Sequence, residues 1–253
     1  MRNPVGYAKR FMKPYSKRAS VRYRTFRQRI DDRAPSWLKR RLNKALDYLD
    51  LYFIDHHIFR AVYANRHQIA PGVWRSAQPS PGQIAKLARR GLKTIVNLRG
   101  ERDCGSYRLQ AEACERHGIK LVELQLTSRL PPHASAIREA KRLFDEIEYP
   151  VLFHCKSGAD RAGMMSALYL HLKQGEPVEK AMGQLALRFG HFRQSDTGVL
   201  DYMFARYLQA RDAEPDLTLE AWLDRGYNPY DLKDEFRAKG WANVIVNRAL
   251  KRE

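Results

Sequence analysis

The stretch PVLFHCKSGADRAGMMSALYLHL, residues 150–172, constrains this chain more than any other. Val151 to Cys155 form a short apolar run with β-branched and aromatic content and no polar alternation. That pattern predicts a strand buried on both faces. The chain then turns at Gly158, and an apolar helix opens at Arg161. Open parallel sheets place their ligand sites at the C-terminal ends of strands, and Cys155 stands at such an end. Gly158 permits a backbone that crowds an anion. Backbone N–H groups from Lys156 onward, through Ser157, Gly158 and Ala159, would point into the loop, and the helix N-terminus adds its positive dipole end. The same field favours an anionic sulfur at Cys155. Arg161 can reach back and grip two phosphoryl oxygens with its planar fork. A nucleophile below and a bidentate clamp around it is the geometry that in-line phosphoryl transfer to sulfur requires. His154 would orient the loop through side-chain hydrogen bonds.

The flanking sequence supplies the rest of an α/β domain. GVWRSAQPSP reads as a strand and a proline-bracketed turn, and PGQIAKLARRG as a short helix ended by Gly91. Residues 93–98 read as a strand, 106–117 as a helix, 120–126 as extended and 135–147 as a helix. Strands that alternate with helices predict a central, mostly parallel sheet of four to five strands flanked by helices. PVEKAMGQLALRFG and GVLDYMFARYLQA read as further helices. SWLKRRLNKALDYLDLYFIDHHIF, from Ser36, reads as an amphipathic helix, because Leu38, Leu42, Ala45, Leu46 and Leu49 follow helical spacing. His56 and His57 are adjacent, point to different faces and make a poor chelating pair. The organisation read from this is a basic tail over 1–35, a helix over 36–64, a catalytic domain over 65–210 and a C-terminal helical extension over 211–253.

Charge enters at the tail. Residues 1–41 hold fourteen Lys or Arg against two Asp, net +12 of a chain total of +18. Tyr7, Phe11, Tyr15, Tyr23 and Phe26 are interleaved. Basic residues with spaced aromatics suit a membrane interface or nucleic acid, and a solvated tail is the plainer alternative. The basic amphipathic segment at 241–251 either packs on the domain or forms a second surface anchor. Three cysteines, Cys104, Cys114 and Cys155, are too few for a disulfide framework and fit a reducing cytoplasm. Cys104 and Cys114 read as free, partly buried thiols. No apolar run reaches the length of a spanning helix, and the N-terminus lacks a signal core. The expectation is a cytoplasmic chain, peripheral at the inner membrane face.

The run His154-Cys155-Lys156-Ser157-Gly158-Ala159-Asp160-Arg161 resembles the signature of the cysteine-dependent phosphatases, the protein-tyrosine and dual-specificity superfamily: His-Cys, five residues, Arg. WRSAQPSP followed by GLKTIVNLRGE is similar to the opening of small bacterial dual-specificity-like members. The resemblance spans about residues 71–210. It implies the fold of that superfamily, a phosphocysteine intermediate hydrolysed by water, and neither metal nor cofactor. Two positions depart from it. Most members carry an acidic residue on a loop after an earlier strand, yet TSRLPPHAS, 127–135, has only His133 to titrate. Asp160, beside Arg161, resembles the acid proposed in myotubularin-like phosphatases. It is either the general acid or a helix cap. Ala162 stands where many members have Ser or Thr, which implies slow phosphoenzyme hydrolysis unless Ser157 or Gln184 assists.

Lys156 extends the resemblance toward phosphoinositide phosphatases and multiply charged substrates. Arg188, His191 and Arg193 are candidate basic groups near the site. Arg75 and Arg99 either face the pocket or pair with Glu101. The leading reading is a phosphomonoesterase acting on a phosphoprotein or phospholipid head group at an anionic membrane surface. The alternatives are a weak or inactive phosphate-binding module and an RNA 5′-phosphatase. No compact RNA-binding module supports the last.

Overall fold

The computed structural model describes residues 25–30, 32, 35–54 and 64–238. Most of the expected basic tail, His56 and His57, and the 241–251 segment lie outside the described residues. The described chain runs α1 (Ser36–Leu49), a π-helical turn (Asp50–Ile54), β1 (His67–Ala70), β2 (Val73–Ala77), α2 (Pro81–Ala88), β3 (Thr94–Asn97), α3 (Gly105–Arg116), β4 (Lys120–Glu123), α4 (Ala134–Glu146), β5 (Val151–Cys155), α5 (Asp160–Leu172), α6 (Val178–Ala181), α7 (Val199–Ala213) and α8 (Leu219–Asp224). A last helix covers 229–238. The sheet order is β1-β2-β5-β3-β4; β1 pairs antiparallel with β2, and every other pair is parallel. The expected mostly parallel α/β sheet is therefore present.

β5 lies at the centre and all five of its residues are buried. Alternation sends Leu152 and Phe153 to opposite faces. Leu152 packs with Ile84, Leu87, Ile95, Ala113 and Cys114, under α2 and α3. Phe153 meets the rings of Phe144 from α4 and Tyr169 from α5, each 5.9 Å away. Helices thus cover both faces, which is why this strand tolerates no polar alternation. Its C-terminal end remains open for the loop that follows.

Three local expectations need correction. β1 is a strand the sequence concealed, because its four residues are mostly half-exposed and carry no alternating pattern. The helix expected over PVEKAMGQLALRFG stops at Ala181. It continues as 3-10 turns at Met182–Gln184 and Leu187–Phe189 and ends at Gly190, φ +77°. That irregular path brings Gln184 and His191 to the loop after β5. The extended runs are also shorter than expected, by two residues at β3 and three at β4.

α1 docks on α3 by a polar seam. Asp47 accepts from Arg108 (2.8 Å) and pairs with Arg27; Lys44 pairs with Glu112 at 2.7 Å. Asp50 accepts from the Ser106 N–H at 3.1 Å. It thereby satisfies one of the first N–H groups of α3, a helix whose own N-cap residue, Cys104, makes no side-chain cap. The approach depends on Gly105: a Cβ there would lie 2.5 Å from Asp47 Cα and 2.7 Å from its carbonyl oxygen. Backbone cannot yield as a side chain would. Gly105→Ala is expected to destabilise the fold by about 1–3 kcal/mol, the scale of overpacking a close contact. Equilibrium denaturation checks this, and an unchanged midpoint would mean that α1 contributes little to stability.

Candidate active site

The loop after β5 is built from behind. Each of its carbonyls has a donor in the scaffold. Gln78 N–H donates to Lys156 O at 3.4 Å, and Asn65 Nδ2 donates to Ser157 O at 2.9 Å. Arg75 Nη2 donates to Gly158 O at 2.7 Å and to Ala159 O at 2.8 Å. In a planar trans peptide the C=O of one residue and the N–H of the next point in opposite directions. With four successive carbonyls turned to the scaffold, the N–H groups of Ser157, Gly158, Ala159 and Asp160 face into the mouth of the loop. Inward N–H groups at a helix N-terminus are the arrangement that suits an anion. Gly158 makes it possible. Its φ is +75°, and a Cβ there would sit 2.5 Å from Ala77 N, inside the backbone of β2.

Arg75 is the main pillar. It is fully buried behind the loop. Its Nη1 donates to Gln184 O (2.6 Å) and Gln184 Oε1 (3.0 Å), and its guanidinium stacks over Phe189, 4.1 Å from the ring centroid. Neutral carbonyl and amide acceptors meet both Nη groups of this buried cation, which offsets part of its desolvation cost. Gln184 therefore gives both its carbonyl oxygens to Arg75. Asn65, at φ +43°, also donates to Phe189 O at 2.9 Å, so it joins the loop to the 187–189 turn.

Cys155 ends β5 and is 2 % exposed. His154 beside it is fully buried. Its Nε2 lies 2.6 Å from Gln110 Nε2, and its Nδ1 lies 3.3 Å from Cys155 O. Gln110 Oε1 accepts from Gln78 Nε2 at 2.9 Å, so the amide nitrogen of Gln110 is the donor toward His154. This makes His154 Nε2 an acceptor and leaves Nδ1 to carry the proton. His154 thus ties the end of β5 to Gln110 of α3. Arg99 is buried and donates to Gln78 Oε1, which binds it into the same chain of hydrogen bonds.

Arg161 lies in the first turn of α5. Its Nη1 makes only a 3.4 Å contact to Leu98 O, and its Nε is buried with no hydrogen-bond partner among the described residues. A buried guanidinium N–H without an acceptor is expensive, and a bound oxyanion would satisfy it. Lys156 is half-buried and Ser157 exposed at the rim. Ala162 is fully buried and brings no hydroxyl.

Asp160 does not cap α5. The N-cap position is Ala159, and no side chain caps that helix. The Asp160 carboxylate instead meets His191: Oδ1 is 2.8 Å from Nδ1, while the other ring nitrogen, Nε2, is 2.5 Å from Asp201 Oδ2. Arg193 pairs with Asp201 at 2.8 Å. Burial alone would lower the His191 pKa, but hydrogen bonds and charge from Asp160 and Asp201 outweigh it and raise the pKa to about 9. Of the sequence candidates, Arg193 therefore serves Asp201, and Arg188 lies over the Phe189 ring at 4.6 Å. His133 is exposed and packs edge-on against Tyr230 at 5.5 Å. The cysteines are free, and burial with a nearby Glu123 pushes Cys114 up to about 12, an inert thiol. Asn65, Gln78, Gln110 and Asp201 escaped the sequence reading altogether. No group of three or more His, Cys, Asp or Glu among the described residues is arranged to hold a metal ion. No helix among them is long and apolar enough to cross a membrane.

A cysteine at the end of a central parallel strand, under a ring of inward N–H groups that an arginine closes, defines the class of cysteine-dependent phosphatase domains. The chain belongs to the family described as DSP-PTPase phosphatase fused to NAD+ kinase, whose model matches residues 60–200, more than half of it. The dual specificity protein phosphatase TpbA of Pseudomonas aeruginosa strain UCBPP-PA14 is 27% identical over 124 residues, 48% of this chain and 53% of that protein. The inositol diphosphatase DSP4 of Arabidopsis thaliana is 32% identical over 100 residues, 37% of this chain and 48% of that protein. The crystal structure of P. aeruginosa TpbA aligns with a TM-score of 0.45 at 25% identity, covering 54% of this chain and 83% of that one. The chain spans about half the length of the curated relatives it matches. α1 lies outside the matched residues, yet packs directly on α3.

Proposed function

We propose that this chain hydrolyses phosphate monoesters through a phosphocysteine intermediate, on substrates presented at an anionic membrane surface. The observation that carries the reading is the loop itself: four carbonyls held from behind, four N–H groups turned inward above Cys155, and a buried Arg161 Nε without an acceptor among the described residues. In this reading Cys155 attacks phosphorus, the nest and Arg161 hold the equatorial oxygens, and the P–O ester bond breaks as Asp160 protonates the leaving oxygen. Water then cleaves the S–P bond. With Ala162 offering no hydroxyl to the departing sulfur, the second step is the slower one. The catalytic unit is residues 65–210, and the helical segments on either side support it.

The membrane part rests on charge and surface chemistry. The first 41 residues carry net +12 with interleaved aromatics. On the described part of the N-terminal region, Phe26, Tyr48, Leu49 and Tyr52 are exposed. Lys and Arg near an anionic surface contribute about 1 kcal/mol each, so a few suffice for recruitment. The family relationship to a dual specificity phosphatase supports a phosphotyrosine-type ester at that surface, and the net charge supports a phospholipid head group.

A phosphate-release panel tests this, with Cys155→Ser as blank. It contains a soluble phosphotyrosine peptide, phosphoinositides and phosphatidylglycerophosphate in anionic vesicles, and a 5′-phosphorylated RNA. We expect vesicle-borne phosphate to be released at least about tenfold faster than soluble phosphate at low salt, with the advantage lost at high salt. Preference for RNA would reassign the substrate. Phosphate binding without release from any member would make the chain a binding module.

A further inference from the structure

We propose that His191, locked between Asp160 and Asp201, is a positioning residue that keeps Asp160 supplied with the proton it delivers to the leaving group. The inference rests on the phosphatase reading above. An isolated aspartic acid has lost its proton near pH 4 and is a poor acid at neutral pH. Asp160 is not isolated. The imidazole of His191 is fully buried, with its two nitrogens on two carboxylates from different elements: Asp160 at the start of α5 and Asp201 in α7. Asp201 is itself 4 % exposed in its side chain and faces Arg193. Asp160, at 23 %, is the only carboxylate of the three-residue chain open to the site. One end of the chain is sealed in the protein and the other reaches the phosphate loop.

The two carboxylates, against the effect of burial, keep both ring nitrogens protonated. The charged groups facing the ring are Asp160 and Asp201, with Arg193 behind the latter. Its pKa, raised to about 9, holds the imidazolium through neutral pH. The sign follows directly. The ion pairs stabilise the fold fully below the unfolded histidine value of 6.5, and this stabilisation is lost as pH rises through about 9.

The proton balance is simple. As sulfur bonds to phosphorus and the ester P–O bond breaks, the leaving oxygen needs one proton. His191 passes its Nδ1 proton to Asp160 Oδ1, and the carboxylic O–H, turning about its Cγ–Oδ1 bond, delivers it to that oxygen. His191 is left neutral and keeps its Nε2–H on Asp201. When water attacks the phosphocysteine, the proton it sheds returns by the same route, and the thiolate departs. His191 never touches the substrate; it acts through Asp160.

The test uses His191→Asn, whose amide N–H can replace the Nδ1 donor but cannot titrate. Two esters are compared between pH 5 and 10: phenyl phosphate, with a basic leaving oxygen, and p-nitrophenyl phosphate, with an activated one. We expect about a 10²-fold loss of kcat/KM for phenyl phosphate at pH 8 and less than about fivefold for the nitrophenyl ester. The basic limb of the phenyl phosphate profile should move to lower pH by more than one unit. Asp201→Asn, which keeps an acceptor for Nε2–H, should move it the same way by less, and it carries the test if His191→Asn does not fold. Imidazole NMR of the full chain gives a readout independent of turnover: the His191 ring should stay doubly protonated up to about pH 9. Equal slowing of both esters with an unmoved limb, or a neutral ring at pH 7, overturns the proposal. If the wild-type chain hydrolyses neither ester, the phosphatase reading fails instead, and the NMR result still decides the charge on His191.

Discussion

Cys155→Ser is expected to abolish hydrolysis of aryl phosphates while leaving the affinity for inorganic phosphate within about threefold. The two halves of this expectation come from different parts of the structure. Turnover needs the sulfur, because a serine hydroxyl is un-ionised at neutral pH and has no base beside it here. Hydrolases that lose their nucleophile typically fall by on the order of 10⁴-fold or more. Binding needs the loop, and the loop is shaped by groups that do not touch the sulfur. Arg75 holds Gly158 and Ala159, Asn65 holds Ser157 and Gln78 holds Lys156. Serine is smaller than cysteine and enters a site already 2 % exposed, so it brings no clash. Phosphate release and calorimetric phosphate binding on the same preparation check both halves. Turnover above about a tenth of the wild-type rate would show that Cys155 is not the nucleophile. Lost binding with an unchanged melting temperature would show that the sulfur, not the loop, holds the phosphate.

The front of this site is legible in the sequence and the back is not, for a physical reason. The apolar run at 151–155, the glycine at 158 and the arginine six residues after the cysteine are local signals. Strand burial, a left-handed turn and a helix start each leave a mark within a few residues. The α/β alternation is local in the same sense, and the parallel sheet followed from it. What holds the loop in shape comes from far along the chain. Asn65 lies 92 residues from Ser157, and Arg75 lies 83 from Gly158. Single buried polar residues have no period, so nothing in the sequence separates Arg75 from a surface arginine. It reads as a strand-end cation that either faces the pocket or pairs with Glu101, whereas in the structure it is buried and donates to loop carbonyls. Asp160 is a similar case. A carboxylate at a helix start reads as either a general acid or a cap. Only the irregular turns at 182–190, which the sequence disguises as helix, bring His191 to it. His133 is exposed and packs edge-on against Tyr230, a contact that nothing near it in the sequence announces.

Arg161→Lys separates a residue kept for function from one kept for stability. The guanidinium of Arg161 is poorly served by the protein, with one long contact to Leu98 O and a buried Nε that has no acceptor among the described residues. An unsatisfied buried donor costs about 1–3 kcal/mol. The folded chain carries this cost unless an anion occupies the loop. Lysine keeps one positive charge but loses the planar fork, so it can attract a phosphate and cannot bind two of its oxygens in a fixed geometry. Loss of a single preorganised donor to a reacting oxyanion costs about 10²–10³-fold, and loss of an arginine that neutralises a transferring phosphoryl group about 10³–10⁵-fold. We therefore expect Arg161→Lys to lower kcat/KM by about 10³-fold and Arg161→Ala by more. Phosphate affinity should weaken in both. Stability should move the other way: without phosphate, Arg161→Lys should melt no lower than wild type, because the orphaned N–H is gone. With saturating phosphate the wild type should gain the larger increase in melting temperature, since only it pairs the fork. Thermal melts with and without phosphate, beside kcat/KM for p-nitrophenyl phosphate, measure every part of this. A substantial drop in the melting temperature of the phosphate-free variant, with the loss of rate confined to what unfolding explains, would make Arg161 a structural residue and remove the clamp from the mechanism.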